Sequence, residues 1–323
     1  MGQRRAGVWM GVRAGVCAAM VLGLMVMGGC PSQPKGDVEP AQVVRKDPPP
    51  RYADAAARHN ERVKYLDRVL ARANIRLTYF DEGGEEHTEN PEGRLQVVRP
   101  DRLALSLGKA GQTLFWFGCD GERYWWIDLS DRNKRVAAVG RHEKFDDQTA
   151  RRIGLPIKPL DLIRLLGVSE LDVNAAGVTQ WSADGTQVGV TTPLGARGWQ
   201  RMWLDAETFE VREVEIFGRD RALVLSAVHE DGPEGPEYVE FTRDVAGARQ
   251  SHASMPSRVY ITHVPTGTEA RLTISGVKDG PISDKAFDLS VLLEKQGVDR
   301  VIDVDERGVP VPPLRAEAGG RAP

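Results

Sequence analysis

Cysteine is nearly absent from this chain: there are three in 323 residues, and two of them, Cys17 and Cys30, fall in the first thirty. No cysteine pair stands at metal-ligand spacing. The six histidines, His59, His87, His142, His229, His252 and His263, are scattered, so no metal site is encoded in a compact motif. A nucleophile-elbow serine and a glycine-rich loop joining a strand to a helix are also missing, which removes the common hydrolase and phosphate-transfer signatures. The chain therefore reads as a non-enzyme with no catalytic residues, no metal and no cofactor. Excess positive charge is missing as well. Forty-three Lys plus Arg stand against 46 Asp plus Glu, and nucleic acid, which needs a concentrated basic surface, is not an expected partner. At 41% hydrophobic residues the chain can build a real core, in one large domain or two small ones.

The one long apolar run lies near the start. Arg4, Arg5 and Arg13 come with no acidic neighbour, and residues 14–27 are uncharged and apolar. That is the pattern of a secretory signal, too short to span a bilayer comfortably. Met27-Gly28-Gly29-Cys30 resembles the lipobox of bacterial lipoproteins, although Met27 and Gly28 depart from its usual Leu and Ala or Ser. The resemblance implies cleavage before Cys30, a diacylglyceryl group on its thiol and acylation of the new amine with a chain such as palmitate. Two or more acyl chains hold a protein stably on a membrane, whereas one does so marginally. Cys119 is then left alone and cannot form an intramolecular disulfide. It reads as a small turn or core residue.

Composition divides the chain into a signal over 1–29, a lipid anchor and proline-rich tether over 30–52, a folded region over 53–305 and a disordered tail over 306–323. Val63, Leu66, Leu70 and Ala73, with Arg62, Lys64, Asp67, Arg68 and Arg72 on the other side, predict a leading amphipathic helix. Strand signals follow at residues 75–80, 95–99, 103–107, 114–117, 123–129 and 135–139, and resume from 187 to 275. Their short connections favour antiparallel neighbours. Between the two sets, residues 155–167 form a greasy helical segment that contains Leu160, Ile163 and Leu166, with Gly167 placed to end it.

Aromatic residues are the positive signal. Phe115-Trp116-Phe117 and Tyr124-Trp125-Trp126 flank Asp120-Gly121, a strong hairpin turn. Strand alternation sends large rings to both faces of that hairpin, so each face needs an apolar cover: the leading helix on one, and the 155–167 helix or a ligand on the other. Trp199 and Trp203 continue the theme. Phe115, Trp116, Phe117, Trp125, Trp126, Leu160, Ile163, Leu166 and Trp203 are the candidate lining of a cavity for an acyl chain. Affinity in such a cavity would come from apolar area.

A leading helix, a strand meander, an apolar mid-chain helix and further strands resemble the LolA/LolB superfamily of envelope lipoprotein carriers and receptors. Val97-Val98-Arg99-Pro100-Asp101-Arg102-Leu103, Gly121-Glu122-Arg123-Tyr124-Trp125-Trp126, Met202-Trp203-Leu204-Asp205-Ala206-Glu207-Thr208 and Ile282-Ser283-Asp284-Lys285-Ala286-Phe287-Asp288-Leu289 are similar to short phrases of that family. The resemblance implies a mainly β (α+β) fold, a strongly curved antiparallel sheet or unclosed β-barrel with the two helices in its concave face. It also implies a lipid-anchored periplasm-facing protein, on the outer membrane in preference to the inner, that binds acyl chains or lipoprotein cargo. The alternative is an anchored envelope interaction or stress-sensor protein that uses the same fold without cargo and binds an envelope protein. A filled interior is what separates the second from the first.

Overall fold

The computed structural model describes residues 47–80, 84–145, 149, 157–242 and 253–306. The signal segment, Cys30 and most of the tether and tail expected from composition lie outside the described residues. Helix α1 (Tyr52–Val63) opens the order and is followed by β1 (Arg68–Phe80), β2 (Glu86–Glu89), β3 (Glu92–Val98), β4 (Arg102–Lys109), β5 (Gln112–Cys119), β6 (Arg123–Asp128) and β7 (Val136–Arg141). Helix α2 (Pro159–Leu165) separates these from β8 (Val178–Trp181), β9 (Gln187–Pro193), β10 (Trp199–Asp205), β11 (Val211–Phe217) and β12 (Leu223–Glu230). The chain then forms β13 (Glu237–Tyr238), β14 (Glu240–Phe241), β15 (Ser254–Met255), β16 (Arg258–His263), β17 (Thr268–Asp279), α3 (Leu289–Gln296) and β18 (Arg300–Asp303).

Sixteen of these strands share one sheet, in the order β18-β7-β6-β5-β4-β3-β1-β17-β16-β12-β11-β10-β9-β8, with β2 on β1 and β14 on β17. The terminal strands β18 and β8 do not pair with each other, so the sheet is not a closed barrel. The expected all-antiparallel ladder needs one correction. β18 runs parallel to β7 and β14 parallel to β17, because each returns to the sheet after a long excursion, the circumstance in which parallel pairing is reachable.

Curvature follows from what α2 touches. It lies against β4 and β5 and also against β11, and β4 and β11 are six places apart in the order. A flat sheet would separate them by about 29 Å at the usual strand spacing. A helix is only about 10–12 Å across with its side chains, so the sheet must bend round it. Residues of α1, α2 and both arms of the sheet belong to one apolar core, including Ala55, Val63, Leu95, Leu103, Leu165 and Met202.

The leading helix is shorter than its spacing predicted. It buries Ala55, Ala56, His59 and Val63 and stops at Val63, while Leu70 and Ala73 lie in β1. A spacing of four residues fits one helical face, but it is also an even number and fits one strand face equally well. Arg99 fixes the chain where it leaves α1: its side chain donates to the carbonyls of Leu66 (3.1 Å) and Lys64 (3.3 Å) and pairs with Glu170 at 2.9 Å. At the far edge of the sheet, Thr179 and Trp181 of β8 donate to the carbonyls of Pro50 (2.6 Å) and Asp47 (2.8 Å). The end of the proline-rich stretch is thereby laid along β8. Among the described residues no helix is long and apolar enough to cross a membrane.

Candidate functional site

The Asp120-Gly121 turn forms as its sequence requires. The Asp120 carboxylate accepts from the backbone N–H of Glu122 and Arg123, at 2.9 and 2.6 Å, and sets β5 against β6 with Phe117 opposite Trp126 and Gly118 opposite Trp125. This register sorts the rings into two sets. Phe115, Phe117, Tyr124 and Trp126 face the core shared with α2. The centroids of Phe115 and Phe117 lie 5.1 and 5.9 Å from that of Trp126, and Phe145 meets Tyr124 edge-on at 5.0 Å.

Trp116 and Trp125 point the other way, and neither helix expected to cover the hairpin covers them. Trp125 is wholly buried in a separate cluster with Ile127, Leu289 and Leu292, and Trp116 joins it and a third cluster around Phe287. The cover is α3, capped by the Asp288 carboxylate and ended by Gly297 in the left-handed conformation. Asp288 before the first turn and Gly297 after the last are N-cap and C-cap signals that the sequence reading passed over.

Helix α2 supplies the opposite wall of the interior. It starts with Pro159 at its first position, where the missing N–H costs nothing, and Gly167 (φ 69°) ends it. Ile163, Leu165 and Leu166 are at most 1% exposed, and Leu160 is half-buried against the same core. The polar side of the helix is paired: Asp161 meets Arg164 at 2.8 Å and Arg197 at 3.5 Å. Two histidines hold the segment from outside the helix. His229 Nε2 donates to the carbonyl of Leu165 (2.6 Å) and His59 Nε2 to that of Ser169 (2.9 Å). Burial, outweighing those hydrogen bonds, depresses both imidazoles to about 4, so both are neutral at ordinary pH.

Trp203 is in neither set. In β10 it is Met202 and Leu204 that enter the core. Trp203 lies half-buried on the other face, its indole N–H donating to Glu215 (2.8 Å) beneath the Arg201 guanidinium, 5.0 Å from its ring. Arg201 itself forms a two-pronged pair with Glu215 at 2.5 and 2.9 Å. Glycines make room for these rings. A Cβ on Gly118 would stand 2.9 Å from the Trp125 indole nitrogen, and one on Gly189 would stand 2.7 Å from the Trp203 ring. Cys119 is buried and its thiol donates to the Asp101 carbonyl at 3.3 Å. Burial pushes the thiol well above its ordinary range, so it is not a nucleophile.

Among the described residues the apolar interior is packed with side chains of α1, α2 and the sheet. A cavity of about 20 Å³ touches it beside Leu166, Val211 and His229, room for one water and far below the several hundred Å³ of a ligand pocket. Among the described residues no group of three His, Cys, Asp or Glu could hold a metal ion. Fold and site together define a mainly β protein: a large mixed sheet that is not a closed barrel, with few helices and an apolar core that is well packed among the described residues.

No protein-family model matches the chain, and no curated protein matches it. Among solved structures it is similar to a LolA superfamily protein from Nitrosomonas europaea, at 12% identity and a TM-score of 0.47, covering 75% of this chain and 99% of that one. It is similar to a DUF1329 family protein from Desulfovibrio piger, at 13% identity and a TM-score of 0.44, covering 75% and 97%. A third likeness is to a protein described as an outer membrane lipoprotein-sorting domain from Vibrio parahaemolyticus, at 12% identity and a TM-score of 0.47, covering 74% and 97%.

Proposed function

We propose that this chain is a lipid-anchored protein of the bacterial envelope, held through Cys30 on the periplasmic face of the outer membrane, that works by binding another envelope component without a resident acyl chain. The fold of this reading is an unclosed barrel with α1 and α2 in its concave face. The observation that carries the function is the filled interior: Ile163, Leu165 and Leu166 occupy the space against Phe117 and the sheet that cargo would need, and the adjoining cavity holds about 20 Å³.

A carrier reading, in which acyl chains or lipoproteins enter the interior, requires α2 to leave its place. In its favour, α2 is seven residues long and has no side-chain N-cap, so beyond its apolar face it is held chiefly by the His229 bond to Leu165 and the Asp161–Arg197 pair. One experiment separates the readings. The full-length chain and its Cys30→Ala variant are expressed, fractionated and purified, and lipids are extracted from the variant for mass spectrometry. The proposal expects the wild type in the membrane fraction and labelled by radiolabelled palmitate, the variant unlabelled, no lipid extracted from the variant, and no saturable binding of a fluorescent fatty acid. A lipid recovered at about one per chain would overturn it in favour of the carrier. Wild type that takes up no radiolabelled palmitate, or that takes up as much as the Cys30→Ala variant, would overturn the anchor; a variant left in the membrane by its uncleaved apolar segment would not.

A further inference from the structure

The outward face of the central strands places like charges directly opposite one another. Arg76 of β1 stands opposite Arg271 of β17, and Arg72 of β1 opposite Arg94 of β3. Cross-strand neighbours have Cβ atoms about 5 Å apart, and like charges so placed destabilise a sheet unless something neutralises them. Among the described residues none of these four arginines is in an ion pair. The chain as a whole is slightly acidic, with a formal charge of −3, so carboxylates to pair them were available to the sequence.

Around one of the two pairs the surface is concave. A cleft of about 420 Å³ is lined by Asn74, Arg76, Asn90, Lys109, Arg271 and Thr273, with Glu92 the one acidic residue among its walls. Its volume is within the range of small-molecule sites. Asn74 stands opposite Thr273 in the register next to the Arg76–Arg271 pair, so two guanidiniums, an amide and a hydroxyl form a compact patch of donors. The Arg271 guanidinium is stacked 5.0 Å from the Tyr260 ring centroid, and its Nε is buried without a hydrogen-bond partner among the described residues. A buried donor left unmatched is costly, and a guanidinium held on an aromatic face is already oriented for a ligand. Lys109 is partly engaged by Glu89 at 2.6 Å, which leaves the arginine pair as the main charge of the cleft.

We propose that this cleft binds a phosphate group carried on a small polar molecule or on a lipid headgroup. Paired arginines match phosphate oxygens in a two-pronged geometry, and the Asn and Thr side chains can donate to the remaining oxygens. The cleft is larger than phosphate alone requires, so the group arrives attached to something. It lies on the face of the sheet opposite the interior and does not depend on whether the interior holds cargo.

Calorimetric titration of the full chain with inorganic phosphate, glycerol 3-phosphate and glycerophosphoglycerol tests this. The expectation is saturable binding of at least one of the two esters, tighter than inorganic phosphate, weakened at least tenfold in Arg76→Gln and in Arg271→Gln, and unchanged in Arg94→Gln, which lies outside the cleft. Preference for the monoester assigns a soluble phosphorylated molecule, and preference for the diester assigns a headgroup. Arg76 is exposed and its variant relieves the like-charge pair, so its urea midpoint should equal or exceed that of the wild type, which separates the loss of binding from any loss of fold. No binding at millimolar ligand, or binding that Arg76→Gln and Arg94→Gln affect equally, overturns the proposal.

Discussion

Acid should loosen this protein through two particular side chains. His59 and His229 are buried, hold the end of α2 and the segment after it, and have their pKa depressed from an ordinary value of 6.5 to about 4 by loss of solvent. Unfolding returns each imidazole to water and to its ordinary pKa, so below that value the unfolded chain binds more protons than the folded one. Stability is therefore fully present above about pH 6.5, falls as pH drops, and levels off below about pH 4. At about pH 5 each histidine costs about 2 kcal/mol, close to 4 for the pair, a large part of the ~5–15 kcal/mol that a folded domain has. Urea unfolding at about pH 7.5 and about pH 5, read by tryptophan fluorescence, measures the drop. The double variant His59→Gln/His229→Gln keeps a donor near each carbonyl but cannot be protonated in this range, and it should lose most of the acid sensitivity while the carboxylates stay the same. An equal drop in wild type and double variant would refute the reasoning.

Leu165→Ala, at the fully buried end of α2, should lower stability by about 2–5 kcal/mol through the cavity it leaves, seen as a reduced urea midpoint with unchanged slope. Gly118→Ala should cost about 1–3 kcal/mol by pushing the Trp125 indole off its seat, and near-ultraviolet dichroism should report the displaced tryptophan. Glu215→Ala removes the acceptor shared by Arg201 and Trp203 and should cost about 1–3 kcal/mol, with a red shift of Trp203 emission as the ring is freed.

The parts of the fold written as local patterns could be read from the sequence, and the parts set by distant neighbours could not. Asp120-Gly121 marked the β5–β6 hairpin because the Asp120 carboxylate accepts from the backbone N–H groups of Glu122 and Arg123 just beyond it, a contact made within four residues. Gly167 likewise marked the end of α2. The boundary of α1 was misplaced because Leu66 and Leu70 stand four apart as on a helix, whereas the core-facing residues of β1 are the smaller Val69, Ala71 and Ala73 at period two, with Leu70 on the other face, and only pairing with β3 and β17 decides in favour of the strand. The cleft was hidden for another reason: Arg76 falls within the strand predicted over 75–80, but Arg271 lies far along the chain and only β17 places it opposite Arg76. Alternation correctly divided Trp116 and Trp125 from Phe115, Phe117 and Trp126. What covers the first pair comes from residues 289–296, far along the chain, and short-range patterns carry no information about that distance. Trp203 was grouped with the interior for its size, although its neighbours Met202 and Leu204 have the alternation that faces the core.

The middle of the sheet is built from strands near opposite ends of the folded region. β1 pairs with β17 along eight register positions, with roughly 190 residues between the partners, and such pairings are slow because the loop must close before any contact rewards it. Until Thr268 and the residues after it arrive, β1 has one open edge and the meander from β8 to β12 has no strand paired to the first. Neither arm can complete its core alone. The chain therefore stays pliable until nearly all of it is made and then closes along a single seam. On the reading proposed above, in which residues 1–29 are an export signal, that order suits a polypeptide threaded across a membrane before it folds.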